Sequence, residues 1–304
     1  MVQNKRKQSL LMVCIALFLI CLLSACGGAT PGVASGSPGV INVVAAENFY
    51  GNIVQQLGGK HVSVTSILSN PNVDPHEYQS NPQTAITVSK AALVIENGGG
   101  YDDWMDKLLS ASPNSNRLLL KGFDSATTHL PQNEHVWYSF ANAAVIAQAI
   151  TNDLKQLDPA DTTTFDNNLR TFKQSLLPLQ QKIAAIKVKY AGTPVGLTET
   201  IYLYQAVPEG LNVLTPFAFE KAIAEGNDPS ADALVTATDQ VNNRQIKILI
   251  YNEQTITPVT TNLENLARSK GIPIVPVSET MPPGKTYQSW MMAQLNTLQA
   301  ALGG

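Results

Sequence analysis

The stretch INVVAAENFYGNIVQQLGGKHVSVTSIL, Ile41 to Leu68, contains two extended segments with a helix between them. INVVAAE (41–47) is an apolar run rich in β-branched residues, as is VSVTSIL (62–68). NFYGNIVQQLGG reads as a helix stopped by Gly58-Gly59. A strand, a helix and a second strand in so short a span favour a parallel pair over a hairpin.

The same alternation continues downstream. NPQTAITVSKA is a predicted helix with Asn81 as N-cap and Pro82 at its first position, and AALVIEN (91–97) is a strand. YDDWMDKLLSA is a helix, RLLLK (117–121) a strand, and FANAAVIAQAITNDLKQL a long helix. From Asp161 the pattern changes. Phe165, Leu169, Phe172, Leu176, Leu179, Ile183, Ile186 and Tyr190 recur in steps of four and three, the period of an amphipathic helix. With Asp161 as N-cap and Gly192 as stop, such a helix would span roughly 45 Å. Pro178 should kink or split it, and an ordinary helix pair broken there is the alternative to a rigid strut. The βα pattern then restarts with strands TPVGLTE (193–199), LNVLTPF, IKILIYNEQ (246–254) and IPIVPVSE (272–279), and with a closing helix TYQSWMMAQLNTLQAAL. The expected fold is α/β. Two βα lobes with parallel sheets, 41–160 and 192–304, are joined by a backbone helix over 161–191, with a site in the cleft between them.

The N-terminal residues belong to a different class. Lys5, Arg6 and Lys7 precede the apolar run SLLMVCIALFLICLL, and LSAC follows, which together read as an export signal over 1–26. LSAC resembles a bacterial lipobox, implying cleavage before Cys26 and lipid on its thiol. The alternative is an uncleaved anchor, for which the apolar run is short against a span of ~20 residues. Of three cysteines, Cys14 and Cys21 lie within the signal, so a mature chain holds no disulfide and relies on its core. GGATPGVASGSPGV (27–40) is a Gly/Ser/Pro-rich tether. An acyl-anchored cysteine and a tether hold a domain at a membrane surface without spanning it. The chain is 44% hydrophobic and 14% charged with net charge −3, and no basic stripe points to nucleic acid.

Ligands of open parallel sheets bind beyond the carboxyl ends of the strands. Only four histidines are present, and His76, in NVDPHEYQSNP, follows the second strand. Alone it could equally be a capping or buried histidine. His135 lies in the loop beyond 117–121, Glu199 closes strand 193–199 and Glu279 closes 272–279. Facing lobes would bring the four together, and two imidazoles with two carboxylates suit a divalent first-row metal. His129 shares a loop with His135 and is a spare ligand. His61 is at the start of a strand, the wrong end, where exposure to solvent is expected. Asp74 precedes Pro75 and shapes the turn. Asn252 and Glu253 close a strand and would buttress the cleft by hydrogen bonds, which metal-bound imidazoles need.

These segments resemble the cluster A-I lipoproteins, the solute-binding subunits of manganese or zinc ABC transporters. DPHEY with SNP and then AALVIENGGGYDDWMDKL, EHVWYS, TETIYLY and VSETMPPGKTYQSWM match that family's four ligand segments in order. The resemblance covers nearly the whole chain from Ile41. It implies metal capture by His76, His135, Glu199 and Glu279, and delivery to a permease and its ATPase by a monomer held outside the cell membrane through Cys26. There are departures. Asn133-Glu134 stands where the family has Asp/Asn-Pro, and Glu279 stands where manganese-type members carry Asp. Zinc-type members place a histidine at the position of Glu199 and often carry a His/acidic-rich loop, which this chain lacks. The oxygen-rich set favours Mn(II), with Zn(II) next because the Irving–Williams order ranks it above manganese. The other classes are a metal-dependent hydrolase and a surface adhesin. No HExxH, GxSxG or P-loop is present, and four protein ligands would leave a substrate little room. Nothing in the chain speaks for adhesion.

Overall fold

The computed structural model describes residues 39–70, 73 and 78–303. The export signal, Cys26, most of the tether, Asp74 and His76 therefore lie outside the described residues.

Alternation of side chains along β1 (Ile41–Glu47) sets the layering of the first lobe. Ile41, Val43 and Ala45 face one apolar cluster, while Val44 and Ala46 face another. A strand apolar on both faces must be covered on both, which is the condition for a parallel sheet between helices. β1 pairs in parallel with β2 (Val62–Leu68) and with β3 (Leu93–Glu96), and β3 pairs with β4 (Leu118–Lys121). The order is β2-β1-β3-β4. The second lobe repeats it. β5 (Pro194–Leu197) lies between β6 (Asn212–Val213) and β7 (Ile248–Asn252), with β8 (Ile274–Val277) outside, giving β6-β5-β7-β8. In each sheet the winding reverses beside the first strand, between β1 and β3 and between β5 and β7. That reversal opens a crevice at the carboxyl ends.

The expected strut is two helices, Thr162–Ser175 and Leu177–Tyr190, meeting at Leu176. The break has a local cause, since Pro178 has no N–H for the carbonyl four residues back. Leu176 itself keeps right-handed helical angles, φ −81° and ψ −18°. The apolar stripe survives the break: Phe165, Leu169, Phe172, Leu176, Leu179, Ile183 and Ile186 are all buried. Gly192, at φ +79°, makes the left-handed turn that ends the helical segment.

One apolar cluster runs through both sheets. It takes in Ile95 and Trp137 of the first lobe, Phe172 of the connection, and Leu197, Val277 and Trp290 of the second. Phe49 stacks on Trp137 at 4.5 Å, and the Tyr287 hydroxyl donates to the Trp137 carbonyl at 2.5 Å. The two lobes share a core instead of only meeting at a cleft. Among the described residues no helix is long and apolar enough to cross a membrane.

Candidate metal centre

His135, Glu199 and Glu279 come together. Their ligand atoms lie within 4.8 Å of one another, and each residue is at most 2% exposed. His135 stands beyond β4, in the loop between a short helix, Gly122–Ser125, and the turn Val136–Tyr138, with Glu199 two residues after β5 and Glu279 two residues after β8. Three of the four residues picked from the sequence thus meet beyond the carboxyl ends of both sheets; the fourth, His76, is outside the described residues.

Asn133 sets the imidazole. Its Oδ1 accepts from the His135 backbone N–H at 3.0 Å and lies 3.0 Å from Nδ1. A carbonyl oxygen there requires the proton on Nδ1, which gives the lone pair to Nε2, the usual arrangement for a ligating histidine. The Asn133 amide donates in turn to the Thr200 carbonyl of the second lobe at 2.8 Å.

The two carboxylates are bridged by one amide. Asn252 Nδ2 lies 2.9 Å from Glu199 Oε1, 2.6 Å from Glu279 Oε1 and 2.8 Å from Thr255 Oγ1. Thr255 then donates to the other oxygen of Glu199 at 3.0 Å. Like charges this close repel strongly in a dry site, and a shared donor offsets part of that. Of the two residues at this strand end, Asn252 contacts both carboxylates, while Glu253 is exposed and Thr255 reaches Glu199.

Glu279 is also held from the first lobe. The Tyr101 hydroxyl donates to its Oε2 at 2.7 Å. Burial, and then the neighbouring Glu279, push this hydroxyl well above the ordinary tyrosine range, so it keeps its proton. Tyr101 follows Gly98, Gly99 and Gly100, all at positive φ, a backbone path that other residues rarely take. Beneath it, Asp102 accepts from the Asn97 and Gly98 N–H groups at 2.6 and 2.7 Å, and the Asn97 amide donates to the Glu134 carbonyl at 2.9 Å. Glu47, at the end of β1, is fully buried; burial first, and then Asp102, push its carboxyl well above the usual range. Asp102 and Asn97 thus tie the glycine turn to the loop that carries His135.

The remaining histidines are elsewhere. His129 is exposed, with Nε2 2.8 Å from the Phe123 carbonyl. His61 is not the solvent-exposed residue expected; its side chain is 13% exposed and faces Asp161.

Two repeated parallel lobes, a shared core and a buried imidazole–carboxylate cluster at their junction define a two-lobed solute-binding protein. A family profile described as "ZnuA: Zinc-uptake complex component A periplasmic" matches residues 43–301, and the chain belongs to that family. Its members are the substrate-binding proteins of metal ABC transporters, not enzymes. The chain is 23% identical to the metal ABC transporter substrate-binding lipoprotein ScbA of Streptococcus cristatus, over 92% of this chain and 94% of that one. It is 24% identical, over the same shares, to the manganese ABC transporter substrate-binding lipoprotein scaA of Streptococcus gordonii. The periplasmic zinc-binding protein TroA of Treponema pallidum superposes with a TM-score of 0.75 at 18% identity, covering 87% of this chain and 99% of that one.

Proposed function

We propose that this protein captures Mn(II) outside the cell membrane and delivers it to the permease and ATPase of an ABC transporter, with Zn(II) as the competing ion. The observation that carries this reading is the buried convergence of His135, Glu199 and Glu279. His76 completes the set as the fourth ligand. Two imidazoles and two carboxylates form an oxygen-rich site that suits manganese, while Zn(II) binds at least as tightly by intrinsic affinity, so selection rests on geometry and supply. Relatives named for manganese and a fold neighbour named for zinc accord with this pair. In the same reading Cys26 is the lipidated mature N-terminus, 27–40 the tether, 41–160 and 192–304 the lobes and 161–191 their connection, and the protein acts as a monomer.

Metal analysis of protein purified under native conditions, with Mn(II)/Zn(II) competition, tests the proposal. Glu199→Ala and His76→Ala should each lower affinity by orders of magnitude while the circular dichroism spectrum is kept. Wild-type affinity in both variants would overturn the ligand set. Mass spectrometry of the membrane fraction should find lipid on Cys26, and Cys26→Ser should abolish it.

A further inference from the structure

At the opposite end of the first sheet stands a second group of metal-ligating side chains. His61 precedes β2, Asp158 caps the end of helix Phe140–Leu157, and Asp161 precedes helix Thr162–Ser175. His61 Nδ1 is 2.9 Å from Asp161 Oδ2 and 3.9 Å from Asp158 Oδ2. All three ligand atoms lie within 4.8 Å of one another. The length of β2, seven residues, separates this group from the carboxyl end of its sheet, roughly 20 Å at strand spacing.

Asp161 was expected to cap its helix, yet its carboxylate makes no capping bond. Asp158 is odder. Its side chain is only 7% exposed, and Oδ2 is buried without a hydrogen-bond partner while facing His61. A buried carboxylate oxygen left without a donor is costly. One imidazole cannot balance two carboxylates even when protonated, and Lys155, three residues before Asp158, is engaged with Asp166 at 2.9 Å. A dication would satisfy all three groups. Tetrahedral Zn(II) with bonds of about 2.0–2.2 Å requires ligand atoms about 3.4 Å apart, a value between the two distances to the imidazole. His61 rests edge-on against Phe165 at 5.7 Å, which limits its rotation.

We propose that His61, Asp158 and Asp161 form a second, weaker divalent-cation site of the Zn(II) class. The ion binds Nδ1, the imidazole proton resides on Nε2, and water fills the remaining position. It ties the start of β2 to the turn that begins the inter-lobe connection. Zn(II) titration of metal-stripped protein by calorimetry near neutral pH tests this. The wild type should take a tight equivalent and then a second, weaker one. His61→Ala and the near-isosteric Asp161→Asn should each lose the weaker equivalent and keep the tight one. Glu279→Gln should lose the tight equivalent alone, so failure of the cleft reading appears in that variant and failure of this proposal in the other two. The His61 ring nitrogens should shift in NMR spectra during the second phase only. Saturation of the wild type at one equivalent, or retention of both in His61→Ala and Asp161→Asn, would overturn the second site.

Discussion

Asn252 holds two carboxylates that would otherwise repel, and the same amide leaves them aimed at one point when a cation arrives. Removing it costs the loaded state orientation and leaves the metal-free state with two close, unbridged charges. Asn252→Ala should lower metal affinity about 10–100-fold, the usual effect of deleting a group that orients a ligand. Calorimetric titration measures this, and an unchanged dissociation constant would show that the bridge is incidental. Tyr101 acts across the lobes. Tyr101→Phe keeps the ring against Trp137 and removes the donor to Glu279. The metal-free variant should be less stable by about 2 kcal/mol, the scale of a hydrogen bond to a charged group, in a denaturant titration. Neither residue's role was legible in full. Asn252 could be placed at a strand end, whereas Tyr101 reaches Glu279 only because three left-handed glycines redirect the chain after β3.

At the scale of elements, helix Leu203–Glu209 carries a buried acid at its last residue. Burial pushes the Glu209 carboxyl up from 4.5 to about 8, against the lowering effect of the Tyr202 hydroxyl, which donates to it at 3.1 Å. The unfolded chain releases this proton near its ordinary value and the folded chain only near pH 8. Between the two the unfolded state binds fewer protons, so stability falls as pH rises, at up to about 1.4 kcal/mol per unit, and levels off above the folded value. Glu209→Gln removes that slope. Its stability relative to wild type should rise by roughly 2–4 kcal/mol between pH 5 and pH 8, measured on metal-free protein by denaturant unfolding. Parallel pH profiles would show that Glu209 is ionised in the fold. The connecting helices illustrate a different limit. The apolar stripe from Phe165 to Ile186 predicted the buried face, and Pro178 predicted a break, but whether one helix or two would form depended on packing across Leu176.

For the molecule as a whole, a metal held by both lobes stabilises whatever state brings them together. At a thousandfold excess over the dissociation constant the gain is about 4 kcal/mol, and the melting temperature should rise accordingly with Mn(II) or Zn(II). Acid reverses this, because an imidazole must be neutral to bind: the metal-induced rise in melting temperature should shrink from pH 7 towards pH 5, where histidine protonates. A rise independent of pH would mean that histidines are not ligands. Motion between metal-free and loaded forms should be small. A core running from Ile41 to Leu298 and a two-helix connection both resist a wide hinge. X-ray scattering should give nearly equal radii of gyration with and without metal, and a large contraction would contradict this.

The sequence alone determined the alternation of strands and helices, the placement of Glu199 and Glu279 at strand ends, and the period of the connecting stripe. These are local properties, set by side-chain periodicity and by which end of a strand a residue follows. The tertiary structure decided what depends on residues far apart in the chain. It made the two lobes share one core, since the connection packs through Thr162–Ser175 on helices of the first lobe and through Leu177–Tyr190 on helices of the second. It chose Thr255 over Glu253 to support the cleft, because a buried threonine can donate where a second carboxylate would repel. It also drew His61 from the expected solvent-facing place to Asp158 and Asp161, a meeting across about a hundred residues that no local pattern encodes.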